Sequence, residues 1–160
     1  MKNKTALLSM SALLALGLTF TSCKKDDPVV TTPTTTRFTA TLNGINEKPT
    51  STTSPATGTF VGNLDEASRV LSYTVTYSGF PTSSTVTMGH LHRVATGDAA
   101  GVNGVGSPEI FFPSLTSPII GTSSTLTQAK VDSMKNGFYY ANIHTNNYPN
   151  GAIRGNVTRQ

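Results

Sequence analysis

Residues 69–80 read RVLSYTVTYSGF, and their side chains alternate: Leu71, Tyr73, Val75 and Tyr77 against Ser72, Thr74 and Thr76. A period of two puts one set of groups on each face of an extended strand, a pattern a helix cannot use. Six further segments share it to varying degrees: FTATL (38–42), GTFVGNL (58–64), STVTMGHLHRV (84–94), SPEIFFPSL (107–115), GFYYANIHT (137–145) and GAIRGNVTR (151–159). They are short and rich in Thr, Val, Tyr and Phe, and clusters of Gly, Pro, Asn and Ser separate them. One apolar and one polar face per strand calls for antiparallel pairing over a shared core. The predicted fold is therefore all-β, an antiparallel Greek-key-like β-sandwich of about seven to eight strands spanning 37–160.

One stretch departs from period two. In LTQAKVDSMKNG, Thr127 is a candidate N-cap, with Leu126 placed to pack on Val131 as a hydrophobic staple. Val131 and Met134 share a helical face, and Gly137 can close the helix in the left-handed conformation. These signals predict one short helix at about 128–136.

The first 36 residues belong to a different regime. MKNK is basic, ALLSMSALLALGLTF is apolar but short for a membrane span, and the chain's only cysteine follows in FTSC. FTSC resembles a lipobox, with Phe20 in place of the usual Leu. The expectation is a lipoprotein signal peptide over 1–22, with Cys23 lipidated and anchoring the chain to a membrane. CKKDD resembles the short signals of surface-exposed bacterial lipoproteins, which implies an outer-membrane protein facing the cell surface, or otherwise the periplasm. PVVTTPTTT (28–36) reads as a Pro/Thr tether that would lift the domain ~28 Å in a polyproline-like form. Residues 23–36 thus form an anchor and spacer.

Composition removes several functions. Of twelve basic residues, Lys2 and Lys4 fall in the signal, leaving ten against eight acidic, a scattered net +2. No basic run interleaves with aromatics, so no nucleic-acid partner is expected. The lone cysteine, assigned to lipid, offers neither a disulfide nor a thiol nucleophile. No Ser stands in Gly-x-Ser-x-Gly, and no carboxylate pair stands out for glycoside hydrolysis. GDAAGVNGVGSP lacks the P-loop and dinucleotide-binding patterns and reads as a loop. Tryptophan is absent, although five tyrosines remain for a glycan or protein ligand.

What chemistry remains centres on three histidines. His90 and His92 in MGHLHRV are two apart on a strand, ~6.6 Å, and face the same way. Met88 shares that face and adds a soft thioether. His144 in ANIHT is in phase with Asn142 and Tyr140. If the two strands are neighbours, three imidazoles can meet around copper or zinc, with Asp98, Glu109 or Glu47 open as a fourth ligand. Equally, such histidines can simply brace strand against loop. YPNG (148–151) is a turn by its chemistry. Arg154 beyond it can hold a carboxylate or phosphate, pair within its own domain, or stack on a tyrosine.

FTATLNGINEKP, GHLH with GVNG, and LTQAKVDSMKNGFYYANIHTNNYPNGAIRG together resemble the CHRD (chordin-type) domain family over residues 37 to about 158. The matching positions include Glu47, His90, His92, Asn142, His144 and Arg154. Lys48 replaces a more usual apolar residue, and Ala152 a frequent acidic one. The resemblance implies an all-β domain without delivering an activity. GHLHRVATGD is also similar, over those ten residues, to the His-x-His strand of copper/zinc superoxide dismutases. The zinc-loop histidines and disulfide of that family are missing. Two functions therefore stand from the sequence, beside a third reading in which a structural envelope protein uses its histidines only to brace strands. One is a lipid-anchored, non-catalytic binding module for a protein or glycan. The other is a copper or zinc protein built on His90, His92 and His144, with a redox activity like that of a dismutase as one outcome.

Overall fold

A computed structural model describes residues 34–160 of the chain. The expected signal, Cys23 and all but the last residues of the tether lie outside the described residues. Nine strands and one helix follow in the order β1 (Thr35–Asn43), β2 (Thr57–Asp65), β3 (Val70–Ser78), β4 (Val86–Arg93), β5 (Ser107–Phe111), β6 (Ile119–Thr122), α1 (Gln128–Lys135), β7 (Tyr139–Thr145), β8 (Ile153–Asn156) and β9 (Thr158–Arg159). All pairings are antiparallel. β1 starts two residues before the expected domain boundary.

The strands form one curled sheet ordered β5-β4-β7-β8-β1-β2-β3-β6, with β9 also on β1. It behaves as two half-sheets. β1, β2 and β3 pair in full register, nine residues each. β4, β5, β7 and β8 form the other half. The halves join where Asn43 of β1 meets Arg154 of β8 and where β9 lies along β1. The chain passes from one half to the other between β3 and β4, again before β6, and again through α1. These crossings give the arrangement its Greek-key character.

The alternation read from the sequence sets the inner faces. Phe38 and Leu42, Phe60 and Leu64, and Leu71 and Val75 are fully buried in one core with Leu91, Ala141 and Ile143 of the other half. Tyr73 of β3 packs on Phe112 beyond β5, ring centroids 5.5 Å apart, which ties the half-sheets across the core. Burying each such aromatic or leucine side chain contributes about 1.5–3 kcal/mol. α1 covers one end as expected. The Thr127 hydroxyl accepts from Lys130 N, and Val131, Met134 and Leu126 join the core. Gly137 ends the helix at φ +79°.

Two details were not anticipated. β6 is a short edge strand beyond Pro118, with Ile119 buried and Ile120 exposed. The last predicted strand is also divided. Val157 interrupts it and donates its N–H to the Tyr139 carbonyl at 2.8 Å.

Candidate metal centre

β7 is buried along its whole length, on both faces. Tyr139, Ala141 and Ile143 serve the core. Their neighbours Tyr140, Asn142 and His144 face away from it and are nonetheless at most 6% exposed. Two covers make this possible. The Gly-rich segment 101–106 folds over one side, and the 44–52 and 147–151 loops fold over the other.

Cross-strand register brings the polar residues together. Met88 lies opposite His144, His90 opposite Asn142, and His92 opposite Tyr140 across β4 and β7. Asn142 is opposite Arg154 across β7 and β8. On β4, Gly89 and Leu91 turn to the core. A Cβ at Gly89 would strike Phe112 and Ile143. Met88, His90 and His92 therefore share the other face, as their spacing predicts. One ring nitrogen from each of His90, His92 and His144 lies within 4.8 Å of the other two. Three points so placed are within about 2.8 Å of a common centre, against ~2.0–2.1 Å for a Zn–N bond. Binding an ion would draw each nitrogen inward by at most about 0.8 Å.

Two of the three rings are held by backbone carbonyls. His92 Nδ1 pairs with the Gly106 carbonyl at 2.8 Å, and His144 Nδ1 with the Pro149 carbonyl at 2.9 Å. A carbonyl only accepts, so Nδ1 carries the proton and the lone pair sits on Nε2. Backbone partners of this kind commonly orient metal-bound histidines. His92 Nε2, His144 Nε2 and His90 Nδ1 are buried without a hydrogen-bond partner. Desolvation, with the neighbouring rings adding to it, holds His90 far below the usual histidine value, at about 3. Desolvation likewise takes His92 to about 4 and lowers His144, each against the raising effect of its carbonyl partner. The rings are neutral at neutral pH and need lose no proton to bind an ion.

Beside the histidines lies a second buried group. Arg154 is 1% exposed, with its guanidinium carbon 3.5 Å from the centre of the Tyr140 ring. The other face of the Tyr140–His92 pair is a parallel stack, centroids 4.5 Å apart at 6°. Arg154 Nη2 donates to the Gly104 carbonyl at 2.9 Å and to Asn156 Oδ1 at 3.3 Å. Stacking on a tyrosine, one of the three roles open to this arginine, is present. Asn142 Nδ2 donates to Glu47 Oε2 at 3.3 Å. Desolvation raises Glu47 to about 7, with the Arg154 charge pulling the other way. Gly151, at φ +131°, passes so close that a Cβ would sit 2.6 Å from Glu47 Oε2. Nine buried side-chain polar atoms lack a partner among the described residues. Six of them belong to Glu47, Asn142, Arg154 and the three histidines.

The expected carboxylate ligands are not brought to the rings. Glu109 is the unpaired residue at a bulge in β5, opposite Leu91 and His92. The bulge turns it to Arg93 at 2.8 Å, Lys130 at 3.3 Å and the Tyr139 hydroxyl at 2.6 Å, where it docks α1. Asp98 accepts from Ala100 N at 2.7 Å and shapes its own loop. Glu47 is engaged by Asn142, the residue opposite His90. Sequence reasoning missed the carbonyls of Gly106 and Pro149, which lie in loops and carry no side-chain signal. It also missed that Tyr140 sits between Arg154 and His92.

The CHRD domain model matches residues 38–157, and the chain belongs to that family. No curated protein and no solved structure matches the chain.

Proposed function

We propose that this CHRD-family chain is an exported, lipid-anchored binding module whose ligand is a copper or zinc ion held by His90, His92 and His144. Family membership points to a binding or interaction module, and the three-histidine cluster supplies its chemistry. The observation that carries the reading is the set of ring nitrogens. Each of three adjacent, neutral, buried imidazoles keeps one nitrogen without a protein partner. Burying an unsatisfied polar atom costs about 1–3 kcal/mol, so three together are a standing penalty that a bound ion would relieve. Histidines that only brace strands would have both nitrogens bonded or one in water. Imidazole suits copper and zinc and is a poor choice for calcium or magnesium. Three protein ligands also leave a coordination position open, unlike a closed structural zinc site. The anchor rests on FTSC and Cys23, and a Cys23→Ser chain should move from the membrane fraction to the soluble one.

The metal test uses the full-length protein in detergent, loaded with Cu(II) or Zn(II), dialysed and assayed for bound metal. One ion per chain is expected, lost in His90→Leu and in His144→Leu. Loaded at a hundred times Kd, the wild type should gain about 2.7 kcal/mol of stability. Metal-free His90→Leu should be as stable as the metal-free wild type or more so, since it loses a buried unpaired nitrogen, whereas His144→Leu also gives up the bond to the Pro149 carbonyl and should be less stable. Sub-stoichiometric metal that is the same in wild type and variants would sink the reading.

A further inference from the structure

The side of the cluster that faces solvent is not bare. Met88 continues the row of His90 and His92 along β4 and stands opposite His144 on β7. Cβ atoms of directly opposed residues lie ≈ 4.5–5.5 Å apart, so a thioether with three rotatable bonds reaches the neighbouring imidazole easily. Met88 is 45% exposed, while no ring of the cluster exceeds 8%. It therefore contributes little to the core, in contrast to the fully buried Met134. Phe111, exposed and opposite His90 on β5, sets its ring against that imidazole at 5.3 Å. The rim of the cluster is thus one thioether and one phenyl ring.

The charge of the donors points the same way. Glu109 and Asp98 are committed elsewhere, and Glu47 is bonded to Asn142. Among the described residues no carboxylate joins the three imidazoles. In a buried site without a counter-charge, the desolvation cost of an ion rises steeply with its charge, so a monocation is held more cheaply than a dication. A soft thioether selects Cu(I) in preference to harder ions. From the placement of Met88 beside three imidazole donors and no carboxylate, we infer that Met88 is the fourth ligand and that the ion this site is built for is Cu(I). The inference rests on the three-histidine reading and sharpens it. The ion is taken up already reduced, so no electron transfer is involved.

The experiment is an anaerobic titration of the full-length protein in detergent with Cu(I), in competition with a chromophoric Cu(I) chelator. Zn(II) is titrated in parallel. Wild type is compared with Met88→Leu, which preserves the bulk and apolarity of an exposed side chain. Met88→Leu should weaken Cu(I) binding about tenfold or more and leave Zn(II) binding within about twofold. X-ray absorption of wild-type Cu(I) protein should show one sulfur scatterer at ~2.3 Å, absent in Met88→Leu. Equal Cu(I) affinity in the two proteins, parallel loss of both metals, or a wild-type spectrum without sulfur overturns the inference. Wild type that takes Zn(II) but not Cu(I) also overturns it, and leaves the three-histidine reading standing. Wild type that binds neither ion overturns that earlier reading as well.

Discussion

Strands β2 and β7 hold equivalent places, each paired on both sides within its half-sheet, and each turns apolar residues to the same core. Their outer faces are opposites. β2 shows Thr57, Thr59 and Asn63 to water, and Thr59 hydroxyl meets that of Thr76 at 2.7 Å. β7 shows Tyr140, Asn142 and His144, all covered by loops and ringed by polar atoms that lack partners. A polar side chain in solvent costs nothing to keep. The same side chain under a loop is costly unless something satisfies it. The difference separates a face that meets water from a covered one whose polar atoms are left without partners.

The strongest way to break this comparison is at Arg154. Arg154→Ala removes the bonds to Gly104 and Asn156, the stack on Tyr140, and the positive charge facing Glu47. A loss of about 3–5 kcal/mol is expected in denaturant unfolding. A loss below about 1 kcal/mol would mean the covered face is wetter and less tightly built than described.

The pH dependence of the metal-free protein comes next, and its two limbs arise from the two buried groups. Unfolded histidines take up protons below their usual 6.5, while folded His90 and His92 resist until about 3 and about 4. Stability should therefore fall as pH drops from 6.5 towards 4. Glu47 acts in the opposite sense. Its folded value is raised from 4.5 to about 7, so its contribution is full below 4.5 and is lost as pH rises through 7. The windows overlap between 4.5 and 6.5, where two histidines outweigh one carboxylate, so a thermal melt series should rise to a maximum at about pH 6.5–7 and fall beyond it. His90→Leu should flatten the acid limb, and Glu47→Gln the alkaline one. An unchanged profile in both variants would show that these groups are not buried as described.

The smallest effect belongs to the other face. Thr59→Ala exchanges an exposed hydroxyl pair for a methyl group and should shift stability by no more than about 0.5 kcal/mol. A larger change would show that β2's outer face does more than meet solvent.

Much of this was legible before any coordinates. Alternation placed Phe38, Phe60, Leu71 and their neighbours in the core, because a period of two leaves no other use for them. The spacing of His90 and His92, and the phase of His144 with Asn142, put the three rings on matching faces. Strand adjacency did the rest, and that is a property of register that no local window contains. β6 escaped notice because its apolar run is two residues long and follows a proline. Glu109 was an open candidate because a carboxylate on a patterned strand can face either way. A single bulge decided it, and bulges leave little trace in a lone sequence.

The seam between the half-sheets bears on the order of assembly. β7 and β1 are joined in the sheet only through residues 153–159, the strand pair β8 and β9. That strand must bridge a sequence separation of more than a hundred residues to reach β1, the kind of contact that slows folding. Until it is in place, the apolar half and the histidine half are separate ribbons, each with an open edge. Arg154 sits on this strand, so the residue that braces the covered polar face arrives with the one that closes the sheet. Closing the sheet thus also braces the cover over the polar face, while the three histidines are brought together by β4 and β7 within one half.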